Sequence, residues 1–285
     1  MTIRDWLQSA KVRLADAGFE SSAMESQLLA GHAMLVDRAW LLSHSEEQFP
    51  ELAGEHLLAR RLSHEPLAYI LGWREFYGRR FSVGPGVLVP RHETELLVES
   101  VLERLRLGAF PHPRVLDLGT GSGCIAISLK LEFPEASVFA SDISGAALEI
   151  ASRNAMDLGA GVWFVQSNRF EKLGGQLFDV IATNPPYIGL SESLPIEVSQ
   201  FEPREALFSG PGGLEFYDAL SIEAGDYLAP VGIMAMEVGH IQASHVKSLF
   251  IGRGWRHVET RSDLSNIPRV VICAKSDTNS TNDDT

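Results

Sequence analysis

Arg114-Val115-Leu116-Asp117-Leu118-Gly119-Thr120-Gly121-Ser122-Gly123 runs directly into Cys124-Ile125-Ala126-Ile127-Ser128-Leu129, and this stretch decides the fold. A short apolar run of strand type meets three glycines at G-x-G-x-G spacing, and a helical pattern starts at once after them. A strand that turns through glycines into a helix is the opening unit of an open α/β sheet, whose ligands bind at the carboxyl ends of the strands.

The same alternation continues downstream. Strands are expected at 114–118, 137–141, 162–167, 178–183, 232–237, 255–260 and 269–274, and helices near 124–133, 144–158, 214–229 and 241–252. Strand–helix alternation implies right-handed crossovers, a mostly parallel sheet and helices on both faces. The last two strands are joined by only a short turn, so one of them must run antiparallel. Upstream, Ile3, Trp6, Leu7, Ala10 and Leu14 follow the helix period up to Gly18. Ser22-Ala23-Met24-Glu25 reads as a capping box, Pro50 opens a further helix, and Pro66 ends it. Between the two regions, Tyr69 to Val83 is aromatic, β-branched and punctuated by glycine, the composition of a hairpin, and a helix at about 92–107 follows Pro90. The expected organisation is a helical domain at 1–66, a hairpin-and-helix linker at 67–112, an α/β domain at 113–275 and a polar, disordered tail at 276–285.

Glycines let a backbone approach a ligand that any Cβ would repel. The spacing here differs from the dinucleotide G-x-G-x-x-G, and Asp117 stands two residues before the first glycine. The next strand ends at Ser141-Asp142, where a carboxylate is placed to accept both hydroxyls of an adenosine ribose. On its own the loop admits a bare tight turn, NAD or S-adenosylmethionine. The last has no pyrophosphate to clamp, which suits the missing third spacing.

The fourth strand, Phe178-Asp179-Val180-Ile181-Ala182-Thr183, runs into Asn184-Pro185-Pro186-Tyr187. Each proline fixes its own φ, holds the preceding residue extended and lacks an N–H. The product is a rigid corner with carbonyls left to accept, an Asn side-chain carbonyl and an aromatic ring. Such a corner suits a planar NH2 group, whose two hydrogens need two acceptors. An amide or aryl-amine nitrogen is a poor nucleophile, and aiming its lone pair at a sulfonium methyl favours in-line attack. The leaving group is then a neutral thioether, and no residue stands out in the sequence as the acceptor of the nitrogen's proton.

Composition sets the remaining bounds. The 285 residues are 45% hydrophobic and 21% charged, enough for a buried core, with two cysteines, Cys124 and Cys273, too few for a disulfide framework or a zinc cluster. No metal site is expected, and the nine histidines show no ligand spacing. No stretch is long enough to span a membrane, and Met1-Thr2-Ile3-Arg4-Asp5-Trp6 lacks a signal-peptide layout, so a cytoplasmic monomer is the expectation. The net charge of −13 divides into −4 for residues 1–66, +1 for 67–112 and −10 for 113–285. That balance argues against binding nucleic acid through phosphates.

Asp117-x-Gly-x-Gly-x-Gly followed by Asn-Pro-Pro-Tyr resembles the amino-methyltransferases that use S-adenosylmethionine. Further strings are similar to the release factor glutamine methyltransferases: Pro66-Leu67-Ala68-Tyr69-Ile70-Leu71-Gly72, Arg74-Glu75-Phe76, Val89-Pro90-Arg91-His92-Glu93-Thr94-Glu95, Phe201-Glu202-Pro203-Arg204-Glu205-Ala206-Leu207 and Glu237-Val238-Gly239-His240-Ile241-Gln242. The resemblance implies a Rossmann-like class I S-adenosylmethionine-dependent methyltransferase fold with one antiparallel strand near the C-terminus. It also implies N5-methylation of the glutamine in the Gly-Gly-Gln motif of class-one peptide-chain release factors, with S-adenosylhomocysteine as product. By the family pattern, Asp117, Gly119, Thr120, Gly121, Ser122, Gly123, Asp142 and Asn184 bind the cofactor, while Asn184, Pro185, Pro186 and Tyr187 bind the substrate glutamine and carry the reaction. Asn168 and Arg169 stand where the family commonly has an acid and an apolar or aromatic residue; Asn168 is expected at the adenine edge and Arg169 stacked on its ring. His92 replaces the family's usual proline, and Asp263 to Arg269 lacks the usual glycine. Arg91 and Glu237 are expected to line or brace the site, and the helical domain and hairpin to grip the release factor. The alternatives are a methyltransferase acting on adenine N6, guanine N2 or a ribosomal-protein glutamine, and a cofactor-binding adaptor without catalysis.

Overall fold

The computed structural model describes residues 1–108 and 112–275. Linker residues 109–111, and residues 276–285, which are expected to form a disordered tail, lie outside the described residues. The chain divides into two units, one of residues 1–73 with 194–201, the other of residues 74–193 with 202–285.

The first unit is helical: α1 (Ile3–Asp16), α2 (Ser22–Met34), α3 (Arg38–Ser43), α4 (Glu51–Leu62) and α5 (Leu67–Leu71). Trp6, Leu14, Leu29, Leu41 and Leu58 form its core, and Trp6 stacks on Phe49. Gly54 makes that packing possible, since a Cβ there would lie 2.2 Å from the Phe49 ring. The capping box sits at α1, where Thr2 Oγ1 accepts from the Asp5 N–H at 3.2 Å and Asp5 Oδ2 accepts from the Thr2 N–H at 3.3 Å. At α2 the box expected at Ser22 and Glu25 does not form: Ser21 is the N-cap and makes no side-chain cap bond, Ser22 is already helical, and Glu25 is held by the Arg61 guanidinium at 2.6 and 3.1 Å. Arg61 also reaches Glu197 at 3.0 Å, which ties segment 194–201 to this unit. Residues 67–71, read as the start of a hairpin, form a helical turn. Pro66 is its N-cap and Gly72 closes it in the left-handed conformation at φ 79°.

The chain passes into the second unit at Arg74, within the hairpin of β1 (Trp73–Phe76) and β2 (Arg79–Ser82), and α6 (Glu95–Leu107) follows. Then come β3 (Arg114–Leu118), α7 (Cys124–Glu132), β4 (Ser137–Asp142), α8 (Gly145–Leu158), β5 (Val162–Gln166) and β6 (Phe178–Thr183). After α9 (Ile196–Phe201) of the first unit, the chain forms α10 (Arg204–Leu207), α11 (Glu215–Glu223), β7 (Leu228–Glu237), α12 (Ala243–Gly252), β8 (Trp255–Ser262) and β9 (Pro268–Lys275). The helix expected over 214–229 breaks at Ala224–Tyr227 into a 3-10 turn, and β7 starts earlier than expected.

The seven-stranded sheet has the order β5-β4-β3-β6-β7-β9-β8, with β9 antiparallel to both neighbours and the other pairings parallel. Alternation along each strand serves two faces. Val115 and Val180 pack with α6 and α7 residues such as Val101 and Ile125, whereas Leu116 and Ile181 pack with Tyr217, Leu220, Val246 and Phe250 of α11 and α12. From β3 the chain winds outward through β4 to β5, then returns to place β6 on the other side of β3. The reversal puts the carboxyl ends of β3 and β6 side by side, and a ligand crevice opens at such a switch point.

Candidate active site

The glycine loop leaves β3 at this switch point. Gly119, Gly121 and Gly123 all lie at positive φ, 74°, 54° and 83°, where a Cβ is strained. They serve different ends. A Cβ on Gly119 or Gly121 would meet no atom within 4 Å, and both line a cavity of about 830 Å³. A Cβ on Gly123 would lie 2.9 Å from Ile127 and 3.1 Å from Ala151, so this glycine lets α7 and α8 pack closely.

Asp142 ends β4 on the same cavity. Its Oδ2 accepts from the Gly121 N–H and its Oδ1 from the Ser144 N–H, both at 2.9 Å. Each oxygen keeps a further lone pair, so the carboxylate is fixed in place and still able to accept. Asp117 acts differently. It is fully buried, with Oδ2 accepting from Thr120 Oγ1 at 2.6 Å and from the Ala126 N–H at 3.0 Å, while Oδ1 has no hydrogen-bond partner. Burial pushes its carboxyl up to about 7 against those two hydrogen bonds, and the Asp142 charge adds to the rise.

Asn184-Pro185-Pro186 leaves β6 into the cavity opposite the glycine loop. Thr183, just before it, donates Oγ1–H to the Leu118 carbonyl at 2.7 Å and so ties the ends of β6 and β3 together. Asn184 Nδ2 donates to Thr94 Oγ1 at 3.2 Å. Tyr187 is not among the residues that line the cavity. Its carbonyl accepts from Gln242 Nε2 at 2.8 Å, and burial pushes its hydroxyl up to about 12, with Glu237 adding to the rise. Gly213 and Gly239 give the corner room: a Cβ on Gly213 would lie 2.5 Å from the Tyr187 carbonyl oxygen, and one on Gly239 3.2 Å from its ring. Behind the corner, buried Glu202 accepts from Arg91 Nη2 at 2.7 Å and from the Val89 N–H at 3.2 Å.

Of the residues expected to form the site, the structure gathers Gly119, Gly121, Asp142, Asn168, Arg169, Asn184, Pro185 and Pro186 around one cavity. Asp117, Thr120, Ser122, Gly123 and Tyr187 are not part of this lining. Thr120 bonds Asp117, and the Ser122 carbonyl accepts from Asn154 Nδ2 at 2.9 Å. Arg169 lines the cavity with its guanidinium held by Glu223 at 2.9 Å and its backbone at φ 47°. Asn168 lines the cavity and donates Nδ2–H to Glu171 at 2.7 Å, which leaves its side-chain oxygen able to accept. Leu118, Ile143, Ala147, Phe208 and Phe216 supply apolar lining that sequence reasoning did not single out. Among the described residues no group of His, Cys, Asp and Glu is placed to hold a metal ion, and no helix is long and apolar enough to cross a membrane.

The donor set fits S-adenosylmethionine. Two glycines leave open the space their side chains would take, a fixed carboxylate faces the cavity, the walls are largely apolar, and the volume lies within the range of about 300–1,000 Å³ usual for ligand sites. The sheet order, the single antiparallel strand and the cavity at its switch point define a class I methyltransferase fold.

Comparison with known proteins narrows the class. Residues 5–72 match the PrmC N-terminal domain, and residues 92–196 match the methyltransferase small domain. The chain is 42% identical over 276 residues to the release factor glutamine methyltransferase of Geobacter sulfurreducens, covering 95% of each chain. It is 44% identical over 262 residues to that of Bordetella pertussis, covering 90% of this chain and 96% of the other. It therefore belongs to the release factor glutamine methyltransferase family. Against the bifunctional methyltransferase of Rickettsia bellii the identity is 36%, and the chain spans 54% of that longer protein. A solved structure of the Thermus thermophilus 16S rRNA N2 G1207 methyltransferase, in complex with AdoMet and guanosine, shares the fold at 20% identity and a TM-score of 0.51, over 72% of this chain and 51% of that one.

Proposed function

We propose that this protein transfers the methyl group of S-adenosylmethionine to the side-chain amide nitrogen of the glutamine in the Gly-Gly-Gln loop of class-one release factors. Family membership supports the reaction class. The observation that carries the reading is the meeting of Asn184-Pro185-Pro186 with Gly119, Gly121 and Asp142 around one cavity.

When bound, the cofactor supplies an electrophilic methyl on a sulfonium. The chain's residues do the rest. Gly119 and Gly121 leave room for the cofactor, and Asp142 accepts from its ribose hydroxyls. Asn184 Oδ1 accepts one amide N–H of the glutamine, because Nδ2 is occupied by Thr94. The paired prolines keep the corner stiff, so the amide nitrogen is held edge-on to the methyl rather than left to tumble. The nitrogen's proton passes to water at the cavity mouth. Asp117 holds the glycine loop from behind through Thr120 and the α7 N-terminus. Asn168 and Arg169 shape the walls, Ser122 and Gly123 support the glycine loop from outside the lining, and the residues of the helical unit recognise the body of the release factor. We place the reaction in the cytoplasm, with the enzyme acting as a monomer.

Transfer from labelled S-adenosylmethionine to a purified release factor, to tRNA and to DNA, run side by side, tests this reading. Label on the release factor alone is expected. Label on tRNA or DNA with none on the release factor would replace it with a base methyltransferase.

A further inference from the structure

We propose that Glu202 is a positioning residue for the acceptor: its buried carboxylate closes a ring of hydrogen bonds that fixes where the Asn184 corner stands relative to the neighbouring cavity walls. The inference rests on the methyltransferase reading of the same site.

Two prolines make Asn184-Pro185-Pro186 stiff, but stiffness fixes only the corner's own shape. Its place in the cavity must come from bonds to other segments. Residues 86–88 and most of 203–209 line the same cavity, and neither stretch contributes a strand to the sheet. Something other than strand pairing must hold them in register with the corner.

The bonds that do so form a circuit. Asn184 Nδ2 donates to Thr94 Oγ1 at 3.2 Å, and the Thr94 N–H donates to the Arg91 carbonyl at 3.2 Å. Arg91 Nη2 donates to Glu202 Oε1 at 2.7 Å, while Glu202 Oε2 accepts from the Val89 N–H at 3.2 Å. From Glu202 the chain runs through α10 to Leu207, whose carbonyl accepts from the Ile188 N–H at 3.0 Å. The Ile188 carbonyl in turn accepts from the Ser209 N–H, also at 3.0 Å. Ile188 follows Tyr187 directly, so the circuit returns to the Asn184 corner where it began.

Glu202 is the one carboxylate in this ring, and its side chain is only 2% exposed. A buried ion pair contributes little net stability, because desolvation offsets the attraction. What this one supplies is position. Its two oxygens are spent on one stretch, the first on the Arg91 side chain and the second on the Val89 backbone. The cofactor's side of the cavity is held by other bonds. The Gly119 and Thr120 N–H groups donate to the Ser141 carbonyl at 2.8 and 2.9 Å, and the Gly121 N–H donates to Asp142 at 2.9 Å. None of these passes through Glu202. Opening the ring therefore shifts the acceptor's clamp and leaves the cofactor's cradle in place.

The test uses the full chain. Glu202→Gln keeps the size but offers one acceptor only, so its NH2 meets Arg91 or the Val89 N–H, donor against donor. Arg91→Met removes the partner, and Arg91→Lys keeps a cation able to make a single bond. The turnover number, KM for the acceptor and S-adenosylhomocysteine affinity by calorimetry are measured for each on whichever acceptor the wild type methylates. An acceptor other than a release factor would overturn the functional reading but leave the comparison of variants intact. We expect Glu202→Gln and Arg91→Met each to lose roughly 10–100-fold in turnover, as small misplacements of a reacting group do, with S-adenosylhomocysteine affinity within about threefold of wild type. Arg91→Lys should recover most of the loss. The double variant Glu202→Gln with Arg91→Met should lose about as much as the weaker single variant, because both act through one link. Wild-type turnover in Glu202→Gln, an Arg91→Lys enzyme as weak as Arg91→Met, or losses that multiply in the double variant would overturn the proposal. So would cofactor affinity that falls in step with turnover, the mark of a merely structural role. Should Glu202→Gln fail to fold, Arg91→Met and Arg91→Lys decide it by the same readings.

Discussion

Replacing Glu237 with glutamine removes a buried charge without changing the side chain's size. The Glu237 carboxyl rises from 4.5 to about 7 on folding, burial being the main cause. At about 1.4 kcal/mol per pH unit, that difference amounts to about 3 kcal/mol. The sign comes from proton binding. Between the two values the folded state holds the proton more tightly than the unfolded chain, so the wild type loses stability as pH rises from about 4.5 to about 7 and no further above it. Glutamine does not titrate, so the variant escapes this loss. Asp117, also raised to about 7, titrates in both proteins and cancels in the difference. The stability of Glu237→Gln relative to wild type should therefore improve by about 2–3 kcal/mol between about pH 5 and about pH 8. At roughly 2–4 °C per kcal/mol for a chain of this size, thermal melts in the two buffers should show the Tm difference move by about 5–10 °C in favour of the variant. A Tm difference that stays flat across that range would refute the reasoning, and with it the assignment of Glu237 as a buried, titrating group.

Asp142→Ala should weaken S-adenosylhomocysteine binding by roughly 10–100-fold, because a charged acceptor is lost and the Gly121 N–H loses its partner; calorimetry at constant pH reads the change. Gly123→Ala should lower stability by about 2 kcal/mol or more, since it adds a Cβ at positive φ and at 2.9 Å from Ile127. Gly119→Ala, with open space around its Cβ, should cost only about 1 kcal/mol in a urea melt while weakening cofactor binding at the cavity wall. Arg61→Ala should destabilise the helical unit by about 3 kcal/mol, since it leaves buried Glu25 without its partner; the pair Arg61→Met with Glu25→Met should melt close to wild type.

Much of the α/β unit is legible because the chain states it locally. Val115, Leu116 and Leu118 precede three glycines, and Ile181, Ala182 and Thr183 precede the Asn184 corner with its two prolines, so each run marks both the end of a strand and the kind of turn that leaves it. The antiparallel strand is legible from the length of a turn. Local signals misled at Tyr69 and Ile70, whose β-type side chains are overruled by the Pro66 and Gly72 caps. Residues 224–227 also misled: the apolar pattern carries on, but Ala224-Gly225-Asp226-Tyr227 tightens to a 3-10 turn. What no local signal carries is pairing across distance. Arg61 with Glu197, Arg91 with Glu202, and Thr94 with Asn184 join residues 90 or more positions apart. The cavity-facing role of Asn184 is readable from its motif, whereas the edge it presents depends on groups that only folding brings near.

The most direct test of the account is a crystal structure of the protein with S-adenosylhomocysteine and a Gly-Gly-Gln peptide. The thioether sulfur should sit in the cavity between the Gly119–Gly121 loop and Asn184, with Asn184 Oδ1 accepting from the glutamine amide and that nitrogen facing the sulfur. A thioether lodged away from the Asn184-Pro185-Pro186 corner, or a glutamine amide bound with its oxygen rather than its nitrogen toward Asn184 Oδ1, would contradict it.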